Sequence, residues 1–108
     1  MTSTNTGMKA IKVEYTVKPE YVDTNKANIQ KVIEELTSLG DTGVLYSVYV
    51  KDDGCSFVHF AIYRNEAEPN VIPTLKSFQA FTKQLRTEGL ATQIDSMTLK
   101  MVGKSFQL

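Results

Sequence analysis

Residues 44–63 read VLYSVYVKDDGCSFVHFAIY, two runs of β-branched and aromatic residues around an Asp-Gly pair. Asp-Gly between two such runs is a strong hairpin signal, so the sequence predicts strands over residues 44–50 and 55–63. A loop of two residues and a loop of three both fit, and the choice sets which side chains face each other. In either register the hairpin is apolar on both faces, which is typical of strands that are covered on both sides.

Two further segments show strand patterns. Residues 8–17 alternate apolar and polar side chains with period two, which predicts a first strand with one apolar face. Residues 96–102 alternate in the same way and predict a last strand, with a continuation through Ser105 and Phe106 after a bulge. The second face of the first strand is polar and carries Lys12, Glu14 and Thr16.

Two segments between the strands have apolar residues at the three-and-four spacing of an amphipathic helix. They cover residues 20–39 and 73–87, and a proline stands at the start of each or just before it. Gly40 and Gly89 follow these segments, and each is expected to end its helix in the left-handed conformation that glycine adopts easily.

The resulting order, β-α-β-β-α-β, is the ferredoxin-like α+β plan with a four-stranded antiparallel sheet. Right-handed crossovers place both helices on one face of the sheet, which leaves the other face of the hairpin apolar and uncovered. The simplest cover is the same face of a second copy, so we expect a homodimer whose two sheets form an α+β barrel. The polar face of the first strand conflicts with an apolar dimer interface. Either the interface between the two sheets is partly polar, or the strand order differs from the one expected.

Composition places the chain among ordinary globular domains. Its 108 residues suffice for one domain, predicted over residues 8–108, and the polar residues 1–7 are expected to be a disordered tail. Basic and acidic residues balance at 12 each, which argues against nucleic-acid and membrane partners. Cys55 is the only cysteine and has no intrachain partner, so we expect a cytoplasmic location.

Four short motifs resemble a known family. FVHF at residues 57–60, followed by PTLKSFQAF at residues 73–81, is similar to segments of the antibiotic-biosynthesis-monooxygenase-like group, small bacterial proteins that form dimeric α+β barrels. YTVKPEYV at residues 15–22 and YSVY at residues 46–49 also fit, so the resemblance covers about residues 8–106.

The resemblance implies the same barrel and several activities. Better-known relatives suggest oxidation of polycyclic phenols without metal or flavin, haem degradation, or binding of small molecules. The haem-degrading members use an Asn/Trp/His set, and the absence of tryptophan from this chain sets that activity aside. We therefore expect no cofactor.

His59 is the only histidine and the candidate catalytic residue. Its ordinary pKa near neutrality suits a general base that deprotonates a phenolic substrate. The more frequent alternative is a hydrogen-bonded histidine within an apolar strand, since the sequence fixes no carboxylate beside it. A metal role is not expected, because a single histidine without further cysteine or histidine ligands makes no metal site.

Aromatic residues supply the candidate ligand pocket. Strand tyrosines can stack on an aromatic ligand and offer it hydroxyl groups, although tyrosine is also simply a good strand former. Two phenylalanines at helical spacing would face the sheet, where the resemblance implies a cleft, although this spacing more often means core packing. The predicted pocket residues are Tyr15, Tyr46, Tyr63, Phe78 and Phe81.

Three functions remain open from the sequence. The first is binding of a small apolar or aromatic molecule in a cleft between helices and sheet. The second is a cofactor-independent monooxygenase that uses His59 or a tyrosine as its base. The third is a purely structural dimeric domain without a pocket.

Overall fold

The computed structural model describes residues 9–64 and 70–106, and the predicted tail over residues 1–7 lies outside these ranges. The observed order is the predicted β-α-β-β-α-β. A 3-10 turn precedes each helix, at Pro19–Tyr21 and Ile72–Thr74, and a π turn, Leu85–Gly89, follows the second helix. The main elements are β1 (Lys9–Thr16), α1 (Val22–Ser38), β2 (Val44–Val50), β3 (Ser56–Tyr63), α2 (Lys76–Gln84) and β4 (Asp95–Lys100).

The sheet has the strand order β2-β3-β1-β4, with every neighbouring pair antiparallel. This confirms the ferredoxin-like topology. Val13 and Val48 lie on either side of His59 in the register, so His59 occupies the middle of a central strand. Because side chains alternate across a strand, Val48 and His59 share the face that packs against the helices, and Tyr49 lies on the other face.

The hairpin loop is longer than either predicted length. The last paired residues are Val50 and Phe57, and the N–H of Lys51 donates to the carbonyl oxygen of Ser56 at 2.8 Å, which leaves residues 52–55 as a four-residue loop. Gly54 adopts φ 75°, which the other residue types rarely adopt. Asp53 holds the loop, since its Oδ1 accepts hydrogen bonds from two following backbone N–H groups at 2.8 Å each.

Gly89 is the last residue of the π turn, and glycine is needed there for a reason other than the predicted left-handed conformation. Positive φ occurs at Gly40, as predicted, but not at Gly89. A β-carbon built on Gly89 would lie 2.5 Å from a ring carbon of Tyr21, a buried residue. Glycine is therefore required here because the Tyr21 ring packs directly on the backbone.

The predicted continuation of the last strand is wrong. Residues 101–106 contain no strand, and β4 ends at Lys100, which is paired with Lys9 at the start of β1. Residues 101–106 therefore lie outside the sheet. Val102 is almost fully exposed.

The sheet face turned away from the helices, here called the open face, has a polar stripe between two apolar patches. Along β1, Glu14 lies 3.5 Å from the Lys12 amine and also forms an ion pair with Lys51. The apolar side chains that are more than a third exposed on this face are Leu45 and Tyr49 on β2 and Met97 and Leu99 on β4. The described segments place no helix over it.

Candidate functional site

A cavity of about 230 Å³ lies between α2 and the helix-facing side of the sheet. Its walls are mostly apolar, and its lining includes every site residue predicted from the sequence: Tyr15, Tyr46, His59, Tyr63, Phe78 and Phe81. The strand register explains this grouping, because Tyr15, Tyr46, His59 and Tyr63 all have the parity that faces the helices. Phe81 lies one turn after Phe78 on α2, and its ring centre is 5.7 Å from that of His59.

His59 is held by hydrogen bonds at both ring nitrogens. Its Nε2 lies 2.7 Å from the hydroxyl oxygen of Tyr15, and its Nδ1 lies 2.7 Å from the hydroxyl oxygen of Tyr46. Asn25, on α1, extends the chain because its Nδ2 amide donates to the Tyr15 hydroxyl at 3.0 Å. Four side chains from one helix and three strands thus form one connected polar chain inside an apolar core.

Burial keeps the hydrogen-bonded side chains of His59, Tyr15 and Tyr46 uncharged at neutral pH. Desolvation lowers the pKa of His59 from 6.5 to about 4, because the protonated ring is costly away from water. The same effect raises the pKa values of Tyr15 and Tyr46, since burial disfavours their anions. Arg86 is the only charged residue among those that line the cavity, so the described wall has no carboxylate to counter a protonated His59.

The size of the cavity limits its occupant. An apolar cavity of roughly 150 Å³ accommodates benzene, and sites for drug-sized ligands start near 300 Å³. A volume of about 230 Å³ lies between these values and suits one or two fused rings. Exposed polar residues, Asn70, Arg86 and Ser96, belong to the lining and give it contact with water.

Comparison with known proteins identifies the fold. No protein-family model matches the chain, and no curated protein matches it. Solved structures do. A protein from Mycobacterium tuberculosis superposes with a TM-score of 0.75 at 16% identity, over 92% of this chain and 99% of that chain. A protein from Nitrosomonas europaea, provisionally named an antibiotic biosynthesis monooxygenase, gives a TM-score of 0.75 at 13% identity over 94% and 96%.

A third structure is named an antibiotic biosynthesis monooxygenase outright, with a TM-score of 0.71 at 15% identity over 89% of this chain and 99% of that chain. This chain has the antibiotic-biosynthesis-monooxygenase-like fold. At such low identities the likeness shows the fold alone and carries no activity.

Within this antibiotic-biosynthesis-monooxygenase-like fold, Asn25 is the polar residue that sequence reasoning missed. It is fully buried, although asparagine is usually exposed. A signal was present, because Asn25 lies three residues after Val22 and four before Ile29, on the apolar stripe of α1. Its Oδ1 atom is buried without a hydrogen-bond partner.

Within residues 9–64 and 70–106, no group of three or more histidine, cysteine, aspartate or glutamate side chains is placed to hold a metal ion. No described helix is long and apolar enough to cross a membrane.

Proposed function

We propose that this protein binds a small aromatic molecule in the cavity between α2 and the sheet. The observation that carries the proposal is the coincidence of an apolar cavity with a hydrogen-bonded polar group in its wall, the His59–Tyr46 pair. Apolar walls supply affinity, while one or two convergent polar groups orient the ligand. A purely structural domain needs neither a cavity nor a buried polar chain at that place.

Filling the cavity tests this proposal. Ala61 lies in the lining on β3, and Ala61→Leu adds three carbon atoms into the space. Ala80→Leu is the matched control, because Ala80 lies on α2 but is exposed and outside the lining. The probe is 1-naphthol, whose fluorescence is excited without interference because the chain has no tryptophan.

We expect saturable binding of 1-naphthol by the wild type and by Ala80→Leu, and a loss of at least tenfold in affinity for Ala61→Leu. Unchanged affinity in a folded Ala61→Leu variant would show that 1-naphthol binds elsewhere. No binding by the wild type at millimolar probe would remove the proposal for ligands of this size.

A second candidate is cofactor-independent oxidation of a phenol, favoured by the position of His59 beside the cavity. In such a reaction a naphthol and O2 give a naphthoquinone and water, so that one oxygen atom enters the ring and the substrate supplies all the electrons. His59 is neutral at pH 7, which is the protonation state that a general base requires. Oxygen uptake with 1-naphthol in the presence of a chelator tests this, and uptake equal to that of His59→Phe would reject it.

We also propose that the open face pairs with the open face of a second copy. The support is its exposed Leu45, Tyr49, Met97 and Leu99, which a partner would remove from water. The polar stripe along β1 would then lie inside the dimer, where Glu14 already has two lysine partners. A cytoplasmic location remains a prediction from the unpaired Cys55.

A further inference from the structure

The hydrogen bonds that link Asn25, Tyr15, His59 and Tyr46 run in one direction, in which each group donates to the next. Counting the available protons gives this direction. Tyr15 is buried, and its hydroxyl has one proton to donate and two partners, Asn25 and His59. Asn25 presents its NH2 group to Tyr15 and therefore cannot accept that proton. The Tyr15 hydroxyl must then donate to His59 Nε2, because a buried donor without an acceptor is costly.

Counting protons also assigns the roles of the two nitrogen atoms of the His59 ring. A neutral histidine has one acceptor nitrogen and one donor nitrogen. With Nε2 accepting from Tyr15, the proton is on Nδ1, which donates to the Tyr46 oxygen at 2.7 Å. Among the described residues His59 is the only hydrogen-bond partner of the Tyr46 hydroxyl. The Tyr46 proton therefore has no acceptor in the described protein and is free for a molecule in the cavity that Tyr46 lines.

The orientation of the Asn25 amide sets this direction. As placed, the amide leaves its carbonyl oxygen without a partner. In the observed orientation the NH2 group is paired with Tyr15, and the unpaired buried atom is an oxygen. An under-satisfied carbonyl is better tolerated in protein interiors than an orphaned N–H, which favours the observed orientation.

We propose that Asn25 acts as a positioning residue that makes Tyr46 a hydrogen-bond donor, so that the ligand is an aromatic molecule with an acceptor such as a carbonyl oxygen. This inference rests on the proposed binding function and adds the polarity of the ligand to it. Asn25 does not line the cavity and acts through Tyr15 and His59.

The tautomer of His59 tests the direction without any ligand. His59 is the only histidine, so its two ring nitrogens give unambiguous 15N NMR signals. We expect the wild type to carry the proton on Nδ1, opposite to the preference of free histidine in water. A proton on Nε2 would overturn the inference while leaving the proposed binding function intact.

Asn25→Asp should reverse the direction of donation along these hydrogen bonds, because a carboxylate can only accept a hydrogen bond. At pH 9 Tyr15 would donate to Asp, the His59 proton would move to Nε2, and Tyr46 would donate to Nδ1 and present only lone pairs to the cavity. A folded Asn25→Asp variant that keeps the proton on Nδ1 at pH 9 would refute control by Asn25. A variant that fails to fold leaves the wild-type tautomer and the ligand comparison as tests.

Two bicyclic probes of similar size test ligand polarity by calorimetry. 1-Indanone has only an acceptor, and indole has only an N–H donor. We expect the wild type to bind 1-indanone about five- to tenfold more tightly than indole, the difference made by one hydrogen bond, and Tyr46→Phe to abolish the preference. Tighter binding of indole would overturn the inference alone, whereas absence of binding by 1-indanone, indole and 1-naphthol would overturn the proposed function.

Discussion

Tyr49 offers the sharpest test of pairing through the open face. It is 56% exposed in the single protomer and lies against Phe60 on that face, with ring centres 6.1 Å apart. An aromatic side chain buries roughly 150–250 Å² in full, so covering the exposed part removes about 100 Å² from water in each copy. At about 25 cal/mol per Å² this contributes roughly 2.5 kcal/mol per protomer.

A two-fold dimer contains the contact twice, so replacing Tyr49 removes about 5 kcal/mol of pairing free energy. We expect Tyr49→Lys to weaken the dimer by more than a thousandfold, which converts it to monomer at micromolar concentration. Leu39→Lys is the matched control, since Leu39 is 51% exposed but lies at the end of α1 on the helix side.

Sedimentation velocity at 1–100 μM measures the mass of each variant, and circular dichroism shows whether each is folded. A wild type that sediments as one chain across this range would refute the pairing. So would a folded Tyr49→Lys variant that remains as dimeric as Leu39→Lys.

Three further changes test the core. Burial lowers the pKa of His59 from 6.5 to about 4, so as the pH falls the unfolded chain binds a proton at this residue before the folded protein does. The free energy of unfolding should therefore fall by about 3 kcal/mol between pH 6.5 and pH 4, and urea unfolding should show this fall in the wild type but not in His59→Phe. Gly89→Ala should cost about 1–3 kcal/mol through the clash with Tyr21, whereas Gly103→Ala, with open space around it, should have no effect on the urea midpoint. Leu85→Ala, at a side chain 1% exposed, should lower the free energy of unfolding by about 2–5 kcal/mol, and an unchanged thermal midpoint would contradict the assigned core.

The fold was predictable because its signals are local. Period-two alternation in the strands and the turn at Gly54 act over a few residues, and each agrees with the same topology. The features that local patterns missed depend on distant neighbours. Gly89 is required by a ring sixty-eight positions earlier in the chain, and the partners that pair with β4 lie on β1, at the other end of the sequence.

The grouping of the predicted site residues around the cavity also follows from local sequence patterns. Parity along the strands places Tyr46, His59 and Tyr63 on one face once the register is known, and the helix stripe brings Phe78 and Phe81 over them. The direction of the polar chain was not predictable, because it depends on which end of the Asn25 amide meets Tyr15 across α1 and β1. Sequence periodicity fixes that Asn25 faces the core and says nothing about its hydrogen-bond partner.

The depressed pKa of His59 favours binding over oxidation as the function of the cavity. A phenol has a pKa near 10, so transferring its proton to a base with a pKa of about 4 is unfavourable by about six pKa units, roughly 8 kcal/mol. Bases suited to neutral pH have pKa values near 7, and no described carboxylate lines the cavity to raise that of His59. Tyr15 and Tyr46 do not help, because burial raises their own pKa values and keeps them protonated. A neutral histidine between two neutral hydroxyls is poorly placed to ionise a substrate and well placed to orient a hydrogen bond, which is why binding is the better-supported function.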